Sequence, residues 1–155
     1  MTDAVDSTII FDLILVGSTR HQEARVTLER ARKAGGVVLS EPVYAEVSNA
    51  FDLNAELDSF LRDMEIRLVR SSRAVLFRAG QAWNLYTSRR RVGLECSACG
   101  RLNRIDCDRC KQPLRSRQHL IADFIVGAHA ISNADRLLTR DEGYYRTYFP
   151  DLTLA

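Results

Sequence analysis

The run Ala122-Asp123-Phe124-Ile125-Val126-Gly127-Ala128-His129-Ala130, followed a few residues later by Arg136-Leu137-Leu138-Thr139-Arg140-Asp141, decides the fold. The first run continues a helical stretch that opens at His119, and Arg136 to Thr139 is short and apolar enough for a buried strand. An acid sits near the start of the helix and another just past the end of the strand. Beyond them, Tyr144 to Phe149 suits a short helix and Leu152-Thr153-Leu154 a closing strand.

The N-terminal half repeats this alternation. Ala4 to Ile10 is short and β-branched and predicts a strand, with a helix beginning at Phe11. Ala24, Leu28 and Ala31 recur at helical spacing until Gly35-Gly36 stops them. Val37-Val38-Leu39 predicts a buried strand, and Pro42 marks a helix start with Val43, Val47 and Ala50 inward. Asn54 to Arg62 predicts a helix and Ile66 to Val69 a strand. Ser71-Ser72 then caps a long helix into Arg89. Strands alternating with helices imply a parallel sheet covered on both faces, an α/β fold of three layers.

With 155 residues, 46% hydrophobic and 27% charged, the chain can bury one core of ordinary size. That composition argues against a disordered or fibrous protein. The apolar run Ile9 to Val16 is interrupted by Asp12 and far shorter than a membrane span, and no basic region precedes it as in an export signal. All four cysteines fall between Cys96 and Cys110, which favours a metal site in a reducing compartment and a cytoplasmic protein. Residues 88 to 119 carry nine basic side chains against three acidic ones, a net +6. The whole chain carries +2, so the remainder is an acidic body of −4. Such asymmetry suggests a polyanionic partner.

In open α/β sheets function gathers at the carboxyl ends of strands, and four acids lie in apolar stretches there: Asp6, Glu46, Asp123 and Asp141. Burying a lone carboxylate is costly, so several together imply a shared cation. All-oxygen ligands select Mg²⁺ or Mn²⁺. Taken singly, each acid has a plainer reading as a cap or a solvated charge. Asp12, Asp135 and Glu142 are read as surface charges. Thr139 is a candidate to orient a neighbouring acid, and so is Ser7 or Thr8 for Asp6.

Val5-Asp6-Ser7-Thr8-Ile9-Ile10-Phe11-Asp12-Leu13, Ser40-Glu41-Pro42-Val43-Tyr44-Ala45-Glu46-Val47, and the two C-terminal acid segments through Tyr145 and Phe149-Pro150-Asp151-Leu152 resemble the PIN-domain ribonucleases. More narrowly, they resemble the VapC-like toxins of toxin–antitoxin pairs. Ser7 and Thr8 depart from the family's frequent Thr and Asn. The resemblance implies a metal-dependent endoribonuclease with Asp6, Glu46, Asp123 and Asp141 as catalytic metal ligands, an antitoxin partner and a homodimer. The alternatives are a PIN nuclease of RNA processing that is not a toxin, and a non-catalytic RNA-binding or adaptor protein on the same scaffold.

Cys96-Ser97-Ala98-Cys99 and Cys107-Asp108-Arg109-Cys110 are two C-x-x-C pairs, the spacing that places two thiolates at corners of a tetrahedron. The expectation is a structural four-cysteine Zn²⁺ hairpin over residues 92–117, inserted into a main domain of 1–91 and 118–155. A redox pair or two disulfides are the competing readings. Lys111 follows the second pair where Gly100 follows the first, so the two turns are expected to differ. The basic flanks, Arg89, Arg90, Arg101, Arg104, Arg109, Lys111, Arg115 and Arg117, are candidates to hold an RNA backbone, or else solubilise a coreless loop. His119, one helical turn before Asp123, could steer a phosphate or serve as a cap. Trp83 and Tyr86 could stack on bases but suit a core contact better, and His129 is expected to pack and His21 to lie on the surface.

Overall fold

The computed structural model describes residues 1–17, 19–89, 92–95, 101–114 and 119–155. Four short strands form a wholly parallel sheet in the order β3-β2-β1-β6: β1 (Asp3–Val5), β2 (Val37–Leu39), β3 (Ile66–Leu68) and β6 (Arg136–Leu138). Ala4 pairs with Val38 on one side and Leu137 on the other. The helices among the described residues are α1 (Ser7–Ile14), α2 (His21–Ala34), α3 (Glu41–Val47), α4 (Asn54–Asp63), α5 (Arg73–Arg89), α6 (Ile121–Asn133) and α7 (Glu142–Tyr148). None of them is long and apolar enough to cross a membrane. The result is the three-layer α/β fold expected from the alternation.

Most elements lie where their end signals put them. Helix α2 stops at Gly35, whose φ of 151° is foreign to other residues, and a Cβ there would lie 2.3 Å from the Met1 carbonyl oxygen. The Ser72 hydroxyl accepts the Val75 N–H at 3.3 Å and so opens α5.

Three boundaries differ. The first strand ends at Val5, and helix α1 begins at Ser7, well before Phe11. The Asp6 carboxylate accepts the Ser7 N–H at 2.8 Å, and this cap outweighs the β-branched character of Thr8-Ile9-Ile10. Ile9, Ile10 and Leu13 then form a buried helical face. Helix α6 begins at Ile121 with Leu120 as its cap, leaving His119 outside it. The closing strand is reduced to one parallel bridge, Leu137 to Leu154, with Leu137 N–H bonded to Thr153 O at 2.9 Å.

The sheet interior is aliphatic except at Asp3, which is wholly buried in the central strand and held by a bidentate bond from Arg136 (Nε–Oδ1 2.9 Å, Nη2–Oδ2 2.7 Å). The register places Asp3 directly beside Arg136, so this pair fixes β1 against β6. Residues Leu94–Glu95 (β4) and Leu102–Asn103 (β5) form a separate antiparallel pair.

Helix α6 carries Gly127 against the ring of Phe149, which is 1% exposed. A Cβ at Gly127 would fall 2.5 Å from that ring. Gly127→Ala gains about 1 kcal/mol of helix propensity and meets an overpacking cost of about 1–3 kcal/mol. Chemical denaturation is expected to show a net loss of stability, with the same variant at exposed, uncrowded Gly80 gaining instead.

Candidate active site

Beta-strand β1 is followed by a connection to β2 on one side, while the chain leaving β6 passes through α7 to Leu154 on the other. The loops at the carboxyl ends of β1 and β6 therefore diverge, the switch point at which open α/β sheets place their sites. Asp6 stands at the end of β1 and is 7% exposed. Its backbone N–H bonds Leu138 O at 3.0 Å, and Thr139, next after β6, donates its hydroxyl to Asp6 Oδ2 at 2.6 Å.

Two hydroxyls link this carboxylate to the loop after β6. Thr139 Oγ1 also accepts the Asp141 N–H at 3.1 Å. Thr8 Oγ1 donates to Asp6 Oδ2 at 3.2 Å and accepts the Arg140 N–H at 3.3 Å. Ser7 adds its N–H to Oδ1, with its hydroxyl at 3.4 Å. Burial pushes the Asp6 carboxyl above its usual range; the Thr139, Ser7 and Thr8 donors oppose this and the charge of Glu46 adds to it.

Asp123 lies in the first turn of α6, where its Oδ2 accepts the Leu120 N–H at 2.6 Å. Its carboxyl is also raised, chiefly by burial, against the Leu120 N–H and the nearby His119, and with the charges of Asp6 and Asp141 raising it further. Glu46 on α3 and Asp141 before α7 are exposed. The charges thus reach one another as a chain, Glu46 on Asp6 and both Asp6 and Asp141 on Asp123, around the carboxyl ends of β1 and β6. Each has its own anchor or solvent, and among the described residues no three His, Cys, Asp or Glu side chains stand close enough to form a coordination set.

The chemistry of this donor set still suits a hard divalent cation. The four residues offer only carboxylate oxygens, two of them desolvated and, among the described residues, none paired with a Lys or Arg in direct contact. Asp6 and Asp123 would form the inner part of such a site, with Glu46 and Asp141 at its mouth.

Several side chains around the acids carry no sequence signal for this role. Tyr144 and Tyr145 on α7 are both buried, and the Asp123 and Asp141 charges reach both hydroxyls, pushing these phenols above their ordinary range on top of the effect of burial. His119 stacks on Tyr144 with ring centroids 4.0 Å apart and lies edge-on to Tyr86; its Nδ1 is 3.8 Å from Asp123 Oδ2. Although outside the helix, it reaches the same carboxylate. Arg140 bonds Asp12 (3.2 Å) and Glu23 (2.9 Å), so Asp12, 16% exposed at its side chain, is a tether for the loop after β6 and not a surface charge. Glu142 is exposed and pairs with Arg146, and exposed Asp135 accepts the Thr2 N–H.

Trp83 and Tyr86 pack on Phe124 at 5.4 and 5.5 Å, as core contacts. His129 is buried with Nε2 2.8 Å from Val69 O, and burial lowers its pKa. His21 opens α2, half-buried, with Nδ1 3.3 Å from Asp12 O.

In the cysteine segment, Cys96, Cys99, Gly100, Arg90, Arg115 and Arg117 lie outside the described residues. Cys107 and Cys110 are free thiols. Backbone N–H groups of Cys110 and Arg109 point at the Cys107 sulfur and pull its pKa down. Lys111 takes a φ of 57°, the conformation a glycine would supply, so the expected handicap of lysine at this turn does not prevent it. Arg89, Arg101, Arg104, Arg109 and Lys111 are all exposed, Arg104 beside Asp106 at 3.6 Å.

Comparison with known proteins follows the same lines. A family model described as PIN domain matches residues 4–150. The fold is shared with VapBC2 from Rickettsia felis, solved bound to a DNA fragment from its promoter (19% identity, 100% of this chain and 98% of that one, TM-score 0.64). It is also shared with VapBC-1 from nontypeable Haemophilus influenzae (16%, 100% and 97%, 0.61). A third is VapC20 of Mycobacterium tuberculosis, described as a sarcin–ricin loop cleaving toxin (15%, 94% and 94%, 0.55). A comparison with curated sequences returned no match. The family model spans nearly the whole chain, sheet, switch point and cysteine segment together, and the protein belongs to the PIN-domain family, a family of nucleases.

Proposed function

We propose that this protein is a divalent-metal-dependent endoribonuclease and the toxin of a toxin–antitoxin pair. The observation that carries the reading is the chain of charge effects, Glu46 on Asp6 and Asp6 and Asp141 on Asp123, at the point where the loops of β1 and β6 diverge. Kinship with VapC toxins, one of them a cleaver of RNA and others solved with their antitoxins, supports it. Mg²⁺ or Mn²⁺ held by the four carboxylates would supply the charge that activates a water and steadies a leaving oxygen.

The chain's own groups prepare that site. Thr139, Thr8 and Ser7 fix both oxygens of Asp6, leaving one outcome for its orientation. The same hydroxyls hold the loop bearing Asp141, so its position follows that of Asp6. Arg140 braces the loop against α1 and α2. An antitoxin would compete with substrate for this site, and a homodimer is the assembly we assign to the toxin.

Asp6→Asn is expected to abolish Mn²⁺-dependent cleavage of RNA with the circular-dichroism spectrum unchanged. Mn²⁺ should raise the melting temperature of the parent, by about 2.7 kcal/mol of added stability at a hundred times the dissociation constant, and leave the variant unmoved. Because Asp6 and Asp123 hold protons to higher pH than ordinary carboxylates, that rise should shrink as pH falls toward their raised pKa values. Cleavage retained in the variant would refute the site.

The insert is assigned two roles. Its four cysteines would hold Zn²⁺, supported by the paired spacing and by the N–H groups aimed at Cys107, an arrangement that favours a thiolate. Its exposed cations would carry the RNA strand toward the acids. Cys110→Ser is expected to lower bound zinc measured by atomic emission while the main melting transition stays, since the apolar core contains none of the described insert residues. Replacing Arg101, Arg104 and Arg109 by Ala should lower the slope of log affinity against log salt by about 2, at about 0.7 per phosphate for a single strand. An unchanged slope would make the insert a spacer or a protein-contact surface.

A further inference from the structure

We infer that His119 reads the ribose of the RNA strand, its Nε2 accepting a hydrogen bond from a 2′-hydroxyl, and that this contact selects RNA over DNA. The inference rests on the nuclease reading above and adds a specificity residue to it. His119 is the last residue before the cap of α6, so the chain returning from the cysteine segment delivers it to the helix start that bears Asp123. Its Nδ1 lies 3.8 Å from Asp123 Oδ2, and 22% of its side chain is open to solvent. A ligand lying over the acids can therefore reach the ring.

The ring is fixed in place. Tyr144 stacks on one face, with centroids 4.0 Å and planes 22° apart, and the Tyr86 hydroxyl accepts the His119 backbone N–H at 3.4 Å. A face-on stack leaves uncovered the nitrogen lone pairs, which lie in the ring plane. The carboxylate facing Nδ1 favours the tautomer with its proton on that nitrogen, and Nε2, which has no partner among the described residues, is then an acceptor. A phosphate supplies only acceptors and cannot use it. The exposed cations of the insert are left to take the phosphates. The donor that every RNA nucleotide carries and DNA lacks is the 2′-hydroxyl. Base amino groups also donate, but they change from one base to the next. The hydroxyls of Ser7, Thr8 and Thr139 are engaged with Asp6 and do not compete for this role.

The test compares fluorescent oligouridine, whose base carries no amino group, with its 2′-deoxy and 2′-fluoro counterparts. Binding is measured by anisotropy in Ca²⁺ for the parent and for His119→Phe, which keeps a ring on Tyr144 and removes both nitrogens; His119→Leu is measured beside it, so that the result does not hang on one variant's folding. Fluorine at the 2′ position keeps an RNA-like sugar and cannot donate. The parent is expected to bind oligouridine about three- to tenfold more tightly than either counterpart, the effect of one neutral hydrogen bond. In the variants that preference should vanish while affinity for the 2′-deoxy strand is unchanged. A residue that only supports Asp123 would move all three affinities together, and that result overturns the inference. So does a parent that binds the 2′-fluoro strand as it binds RNA, because it then reads sugar shape, or a variant that keeps the preference. Cleavage of RNA by the parent in Mn²⁺ leaves the nuclease reading standing in each of those cases. A parent that neither binds nor cleaves RNA overturns the nuclease reading, and this inference with it.

Discussion

The hydrogen bond from Thr139 to Asp6, 2.6 Å long, is the interaction on which the rest of the site depends. It joins the ends of two parallel strands whose outgoing loops part company, so it lies at the switch point that their parting creates. The carboxylate it holds is buried, and an isolated buried carboxylate is costly. Three other donors share the task, from Ser7 and Thr8, and the Thr8 and Thr139 hydroxyls in turn accept the backbone N–H groups of Arg140 and Asp141. One charge thus caps α1, ends β1 and orders the loop after β6. At the opposite end of the same two strands, Arg136 does the equivalent work for Asp3. The β1–β6 pair is therefore fixed by a charge at each end, and its register cannot slip by one residue without losing both.

Much of this architecture is legible in the sequence because local and tertiary demands agree. Gly35, Pro42 and Ser72 each mark a helix end that packing also requires, and the three apolar strands around them are too short and too aliphatic to be anything but sheet. The first element was misleading for a definite reason. Thr8-Ile9-Ile10 favours a strand by composition, and a single capping bond from Asp6 decides otherwise. The acids themselves stand out as charges within apolar stretches. Their partners do not: Asp3 with Arg136 and Asp12 with Arg140 are separated by more than a hundred residues, and no periodicity links them. Tyr144 and Tyr145 were equally silent, since aromatic residues on a short helix read as core, which they also are.

Charge is distributed along the chain as the site would need. The body is acidic, and four of its acids lie about the carboxyl ends of the parallel strands, where in the proposed function they would attract a cation and repel RNA. The exposed cations of the cysteine segment belong to a part of the chain that leaves α5 and returns just before α6, the helix that bears Asp123. Attraction and chemistry are therefore separated in the sequence yet joined at one helix start. In the proposed function, steering by the insert would be screened by salt without altering the buried bonds around Asp6, because a buried hydrogen bond of 2.6 Å is insensitive to an ionic atmosphere whose screening length is about 8 Å at physiological salt.

The site is also where the fold is least comfortable. Two carboxyls are raised chiefly by burial, with neighbouring acids adding to it, and the Tyr144 hydroxyl is buried without a hydrogen-bond partner among the described residues. Each is destabilising, and none would persist without packing that holds it in place. That packing is close at hand: Phe124 immediately follows Asp123 and is wholly buried, while Phe149 fills the space above Gly127 one turn further along the same helix. Helix α6 therefore has two faces with opposite tasks, an aromatic face that contributes stability and a first turn that holds a half-buried carboxylate at a cost to it. The short α7 repeats the arrangement, with Asp141 before its first turn and Tyr145 and Phe149 locked in the core. Strain at the acids and density in the aromatic cluster are two sides of one design, because only a rigid wall can keep like charges facing the same site when every pairwise force between them pushes them apart.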